Sequence, residues 1–229
     1  MTLLSVIVPA LNEAAGIAAA LGALAPLRAR GAQVIVVDGG SGDATRALAA
    51  PLADRVLEAP RGRASQMNAG ARAAAGDVLL FLHADTRLPE NADALIAAAL
   101  ASGGHAWGRF DARIDGGGAL GVVSCMMNAR SRLTGIATGD QAMFMTRAAF
   151  DAAGGFPAIA LMEDVEMSKR LKRISPPASL RAAVVTSARR WQRDGTLATI
   201  LLMWRLRLAY ALGADPQGLA RRYERRRSS

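Results

Sequence analysis

Short apolar runs alternate with longer amphipathic stretches through the first hundred residues. "LSVIVP" (4–9), "QVIVVD" (33–38), "RVLEAP" (55–60) and "DVLLFLHAD" (77–85) read as strands; their apolar cores are too short for helices, and the purest of them suit burial on both faces. Between them, "AAGIAAALGAL" (14–24), "GDATRALAA" (42–50), "ASQMNAGARAAA" (64–75) and the following "NADALIAAAL" (91–100) have helical composition, and Gly76 is a stop signal for the third. Strand and helix in alternation predict a parallel sheet with right-handed crossovers.

After about residue 105 the rhythm changes. "HAWGRFDARID" alternates as a strand suited to antiparallel pairing, and "ALGVVSCMMNARSRL" reads as a helix. A strand "QAMFMT", a helix "RAAFDAAGGF" ended by glycines, a helix "MEDVEMSKRLKR" and a last strand "SLRAAVVTSA" follow. With no repeat or linker in view, residues 1–192 are expected to form one domain and 193–229 a helical, basic extension. In that extension Ile200, Leu201, Trp204, Leu208, Ala211 and Leu212 make a helical stripe, with Leu202, Met203, Leu206 and Tyr210 outside it. Such a helix can dock on the domain, on a second copy, or on an anionic membrane.

Composition narrows the partners. The chain of 229 residues carries a net charge of +9, much of it in "SARRWQRDG", "WRLRL" and "RRYERRR", including Arg225 to Arg227. A basic tail suits a membrane surface, a nucleic acid or a phosphorylated substrate. Aromatic residues are only 4% of the chain, which argues against base stacking and hence against nucleic acid. The single cysteine, Cys125, excludes an internal disulfide and a thiolate cluster, and is expected as a buried thiol in "GVVSCMM". The N-terminus lacks the basic start of a secretory signal, and the longest apolar stretch, Thr196 to Gly213, is broken by Arg205 and Arg207. The expectation is therefore a cytoplasmic protein, peripheral on the inner face of the membrane at most.

Five places put polar residues at element ends. Pro9 closes the first strand, with Asn12 able to cap a helix. In "VVDGGSGDAT" glycines follow Asp38, a loop that fits close approach to a ligand or a tight turn alone. Arg61 and Arg63 precede a helix N-terminus and suit a diphosphate or a solvated basic loop. His83 and Asp85, two apart at a strand end, are expected on one face, with Asp85 a candidate for a hard cation shared with phosphates. Glu163, Asp164 and Glu166 open a helix, and Asp164 falls on the inward stripe with Met167, Leu171 and Ile174. An inward acid at a cleft suits a general base.

These five segments, in this order, resemble the family 2 glycosyltransferases of the GT-A fold, over roughly residues 3–195. "SVIVPALNE" resembles that family's opening, "DGGSGDAT" its D-x-S-x-D-x-T loop, "HAD" its D-x-D, "GDQAMFMTRAAFDAAGGFP" its acceptor-side segment and "MEDVEMSKRLKR" its E-D helix. "GRASQMNAGA" and a late "RRW" are similar to a subgroup of short bacterial members known as radical-SAM/selenodomain-associated transferases. The resemblance implies an α/β fold with a mostly parallel central sheet flanked by helices. It implies an inverting transfer of one sugar from a nucleotide-diphospho-sugar, UDP-sugar favoured, to a hydroxyl acceptor that can be lipid-linked. Pro9, Glu13, Asp38, Ser41 and Arg63 would then lie at the nucleotide. Asp85 would hold the divalent metal, Mn²⁺ or Mg²⁺, with His83 standing where the first acid of D-x-D is usual; an imidazole there favours Mn²⁺. Asp164 would be the base, and Asp140, Glu163, Arg190 and Trp191 would border the acceptor. The alternative is a non-catalytic nucleotide- or membrane-binding module of the same fold.

Overall fold

The computed structural model describes residues 3–225, with backbone only for Arg190, Glu224 and Arg225. The strands are β1 (Leu4–Ala10), β2 (Gln33–Asp38), β3 (Arg55–Glu58), β4 (Val78–Phe81), β5 (Thr86–Arg87), β6 (Trp107–Ile114), β7 (Phe144–Thr146) and β8 (Ala178–Thr186). They form one sheet in the order β3-β2-β1-β4-β7-β6-β8-β5. The first four run parallel, as the alternation predicts. β7 runs antiparallel to both β4 and β6, while β6 and β8 are parallel. The antiparallel pairing expected of "HAWGRFDARID" is thus found on one of its two edges.

The helices are α1 (Ile17–Gly22), α2 (Ala25–Ala29), α3 (Thr45–Ala49), α4 (Arg63–Ala73), α5 (Ala92–Ala101), α6 (Ala119–Thr134), α7 (Arg147–Ala152), α8 (Glu163–Lys172), α9 (Arg189–Asp194), α10 (Thr196–Ala211) and α11 (Pro216–Arg225). The predicted helix over 14–24 is cut short, and a second begins with Pro26 in its first turn, where a missing N–H costs nothing. Strand side chains alternate between two cores: Val6, Val8, Val34, Val36 and Leu80 on one face, Ile7, Ile35, Val37, Leu79 and Phe81 on the other. α4 covers the second face. It can lie close because position 70 is glycine; a Cβ there would collide with Ile7 and reach Val37 at 3.0 Å.

Three expectations are corrected. Cys125 is exposed, because Ser124 is the residue of α6 that turns inward, its hydroxyl accepting from Ile114 N–H (3.0 Å) and donating to the Leu120 carbonyl (2.8 Å). Ile174 is exposed, because α8 ends at Lys172 and the stripe through the buried Met167 and Leu171 does not extend to it. In α10 the stripe expected to dock is the outer one. Leu206 is buried with Met162 and Leu219, and Leu202, Met203, Ala209 and Tyr210 pack beside them. Leu197, Leu201, Trp204, Leu208 and Leu212 are left 56–79% exposed. α10 is pinned to α8 by the Tyr210 hydroxyl, which donates to Glu166 Oε2 (3.2 Å), and by Lys169 Nζ, 4.9 Å from the Tyr210 ring centroid. The expected boundary at 192/193 falls inside α9. Arg226 and Arg227 of the basic tail lie outside the described residues.

Candidate active site

The carboxyl ends of β1 and β4, the start of α4, the start of α8 and the inner walls of α6 and α10 enclose a cavity of about 1600 Å³. Ligands of open α/β sheets bind at such strand ends. Pro9, Glu13, Arg63, His83, Asp85, Asp140, Glu163 and Trp191 all line it, brought together from six segments of chain. Asp164 lines a small adjoining void with His83, Gly139 and Glu163. Asp38 and Ser41 stand behind the wall, and the Arg190 side chain is outside the described residues.

On the strand-tip side the loops interlock. Asp38 is fully buried, and its carboxylate accepts the Gly40 N–H (3.0 Å), the Ser41 N–H (2.8 Å) and the Ser41 hydroxyl. Ser41 Oγ in turn accepts the Asn12 N–H (2.8 Å), and Asn12 Oδ1 accepts the Gly42 N–H (2.9 Å). Asp43 Oδ2 accepts the Ala14 N–H (3.1 Å), and the Thr45 hydroxyl accepts that of Glu13 (2.8 Å). Behind them Gln66 Nε2 donates to the carbonyls of Ala10 and Val37, both at 2.8 Å, and so ties the tips of β1 and β2 together. Asn68 holds the backbone of Phe156 through both its N–H and its carbonyl. The "SQMN" residues that follow the two arginines are therefore braces of the site.

The strand through "VLLFL" stops at Phe81, so His83 and Asp85 sit in a turn, closed by Thr86 N–H to the His83 carbonyl (3.0 Å), and not on a shared strand face. His83 Nδ1 lies 3.2 Å from Asp140 Oδ1, and the far side of its ring packs on Gly139, where a Cβ would collide with Nε2. Asp85 opens toward β1 instead. Arg189 Nη2 lies 3.9 Å from Asp85 Oδ2 and 3.1 Å from Glu13 Oε2, bridging the two carboxylates. Arg189 was not singled out from sequence; among several tail arginines, nothing but its place at the start of α9 distinguishes it.

Asp164 is half-buried, and its Oδ2 accepts the Gly139 N–H at 2.8 Å, which ties α8 to the Gly139–Gln141 turn. Glu163 is buried beside it. Burial and the Asp164 charge push the Glu163 carboxyl above the usual carboxylate range, against the opposing pull of Arg63 and His83. Arg63 is exposed on the cavity wall. Desolvation opposes its charge, and Glu163, Tyr223, Asp140 and Asp164 outweigh it, so its net shift is upward. Among the described residues, three non-glycine residues adopt left-handed backbone, Asn12 (φ 54°), Ala142 (φ 46°) and Met162 (φ 69°), and each borders one of these segments. Strain of this kind persists where the surroundings over-determine it, commonly at functional sites.

Among the described residues, no three His, Cys, Asp or Glu side chains converge to hold a metal ion. The donor set fits a hard cation only in the shared manner, with Asp85 as the protein's carboxylate and the remaining oxygens from phosphates and water. Nor is any helix of the described residues long and apolar enough to cross a membrane.

Solved structures share this architecture. A Staphylococcus aureus TarS fragment (residues 1–349) in complex with UDP-GlcNAc superposes with a TM-score of 0.66 at 18% identity, over 82% of this chain and 59% of that one. A Pyrobaculum calidifontis mannosyltransferase in complex with GDP-Man and Mn²⁺ gives 0.65 at 22% identity, over 90% and 60%. Glucosyl-3-phosphoglycerate synthase from Mycobacterium tuberculosis, in complex with Mn²⁺, UDP and phosphoglyceric acid, gives 0.63 at 18%, over 93% and 80%. The chain thus spans about 60% of the length of the first two. No curated protein matches it in sequence. The pattern that defines glycosyl transferase family 2 matches residues 5–156, about two thirds of the chain. With the GT-A fold and the strand-tip cavity both in place, the chain belongs to glycosyl transferase family 2.

Proposed function

We propose that the protein transfers one sugar, with inversion, from a nucleotide-diphospho-sugar, UDP-sugar favoured, to a hydroxyl acceptor. The observation that carries this reading is the convergence of Glu13, Arg63, Asp85 and Glu163 on one cavity at the strand tips, with Asp164 beside them in the adjoining void. The nucleotide lies over the interlocked loops, against Pro9 and Glu13, with Asp38 and Ser41 holding the loop in shape. Arg61 and Arg63 take the diphosphate, whose negative charge grows as the sugar leaves. A divalent metal, Mn²⁺ or Mg²⁺, would be held by Asp85 and would neutralise part of that charge when bound. Asp164 removes the acceptor proton, its orientation fixed by the Gly139 N–H. His83 holds Asp140 beside it.

The acceptor enters between α6 and α10, past Trp191, where the walls turn apolar. The outer leucines and Trp204 of α10 and Val122, Met126 and Leu133 of α6 are exposed, and Met126, Leu133, Trp204, Leu208 and Arg221 share the cavity lining; we read them as an apolar rim with a basic flank. Such a rim suits an anionic membrane and a lipid-linked acceptor, and a station on the inner face of the membrane is part of this proposal. "GRASQMNAGA" and "RRW" favour the short bacterial radical-SAM/selenodomain-associated subgroup. One observation supports a second choice of base: Glu163, not Asp164, lines the main cavity, and its raised proton affinity also suits a base.

The test is a calorimetric titration of UDP, then GDP, with and without Mn²⁺, on wild type and Asp85→Ala. Expected is metal-dependent binding of UDP that weakens by about tenfold or more in the variant, the loss of one charge-assisted contact. Metal-independent binding, equal in both proteins, overturns the role of Asp85; binding of neither nucleotide overturns the donor site.

A further inference from the structure

Arg130 of α6 and Arg207 of α10 line the apolar half of the cavity, opposite the strand-tip loops. The Nε and Nη2 atoms of Arg130 are shut off from water and have no hydrogen-bond partner among the described residues. Burial and the nearby Arg207 pull its guanidinium down to about 10. Burial lowers Arg207 as well, against the pull of Asp164 and Asp140. Two like charges, half-buried and close enough to disturb each other, cost stability unless something anionic completes them. The planar fork of arginine matches phosphate oxygens, and two forks match a phosphate with several free oxygens. The walls around them are Val123 and Met127 of α6 and Ile200, Met203 and Leu208 of α10, which suit an apolar chain and not a second sugar.

We infer that Arg130 and Arg207 form a phosphate subsite for the acceptor, binding a phosphate monoester carried on an apolar chain. The word acceptor rests on the transfer reading; the subsite itself does not, and binding alone tests it. Its position explains its use. Asp164 acts electrostatically on both arginines, so a phosphate held there stands near the proposed base. The same phosphate anchors the acceptor so that its hydroxyl is presented in a fixed place.

The experiment uses the full chain with three probes: decyl phosphate, decanol and glycerol 3-phosphate. Each is titrated by calorimetry and by thermal shift into wild type, Arg130→Gln, Arg207→Gln and Arg207→Lys. Decyl phosphate is expected to bind wild type and raise its melting temperature, with either glutamine variant weakening it by about tenfold or more. Arg207→Lys, which keeps the charge and loses the fork, is expected to recover part of that loss. UDP binding stays at the wild-type level in all variants, and the melting temperature without ligand does not fall when an unpaired buried charge is removed. Decyl phosphate binding all variants like wild type overturns the subsite. So does decanol binding as well as decyl phosphate. Glycerol 3-phosphate matching decyl phosphate overturns the apolar chain and points to a soluble phosphoester. Loss of UDP binding in the glutamine variants overturns the assignment to the acceptor and gives the arginines to the donor.

Discussion

Around the β1–α1 and β2–α3 loops the polar groups are tied to one another: Asp38 to Gly40 and Ser41, Ser41 to Asn12, Asn12 to Gly42, Gln66 to two strand ends. Across the cavity, Arg130 keeps two buried nitrogens without partners among the described residues, and α10 turns its leucines to solvent. One wall is finished and the other is not. A wall whose donors and acceptors are satisfied is pre-organised and binds with little rearrangement. A wall with an incompletely bonded buried arginine and exposed apolar side chains is unfavourable alone and gains when a complementary partner arrives. On the proposed reading, the difference separates a donor side built in advance from an acceptor side completed by what it binds.

The sharpest way to break this division is at the two acids that lie between the walls. Asp164→Asn is expected to lower turnover of nucleotide-sugar by about 10²- to 10⁴-fold, the usual worth of a general base, while UDP affinity holds. Glu163→Gln should cost far less, and should stabilise the protein as the pH rises, because a carboxyl held above its ordinary pKa loses native-state stability on ionising. If turnover collapses in Glu163→Gln and survives in Asp164→Asn, the base is Glu163.

The finished wall is tested through Gln66→Ala, which leaves two buried carbonyls without their donor. A loss of about 2 kcal/mol is expected, seen as a fall of about 5 °C in melting temperature. Nucleotide binding should weaken with it, and an unchanged melting temperature would mean that the strand tips do not need this brace. The unfinished wall gives the opposite pattern. Leu201→Ser combined with Leu208→Ser touches only exposed side chains, so stability should move by no more than about 0.5 kcal/mol. Partition onto anionic vesicles should fall by about tenfold or more, since each leucine carries about 1.5–3 kcal/mol of transfer free energy. Unchanged vesicle binding would remove the membrane from the picture and leave the rim to some other partner.

The pattern of apolar runs determined a good deal unaided. The four parallel strands and their order of appearance, the helix opening on Glu163 and Asp164, and the candidates at strand ends follow from periodicity and turn residues, which are local properties. Eight of the residues named from sequence meet on one cavity because strand ends of a parallel sheet lie on the same edge. Other features depend on contacts between residues far apart in the chain. That His83 turns to Asp140 and not to Asp85 follows from the strand ending at Phe81 and from the gap left by Gly139. That Arg130 and Arg207 share a wall follows from α10 packing through Leu206 and Tyr210 onto α8. The sequence shows α10 apolar on two faces, and periodicity alone cannot choose between them. The choice was made by Met162 and Leu219, which bury one face and leave the other to the solvent, because burial depends on which surfaces meet and not on spacing along a single helix.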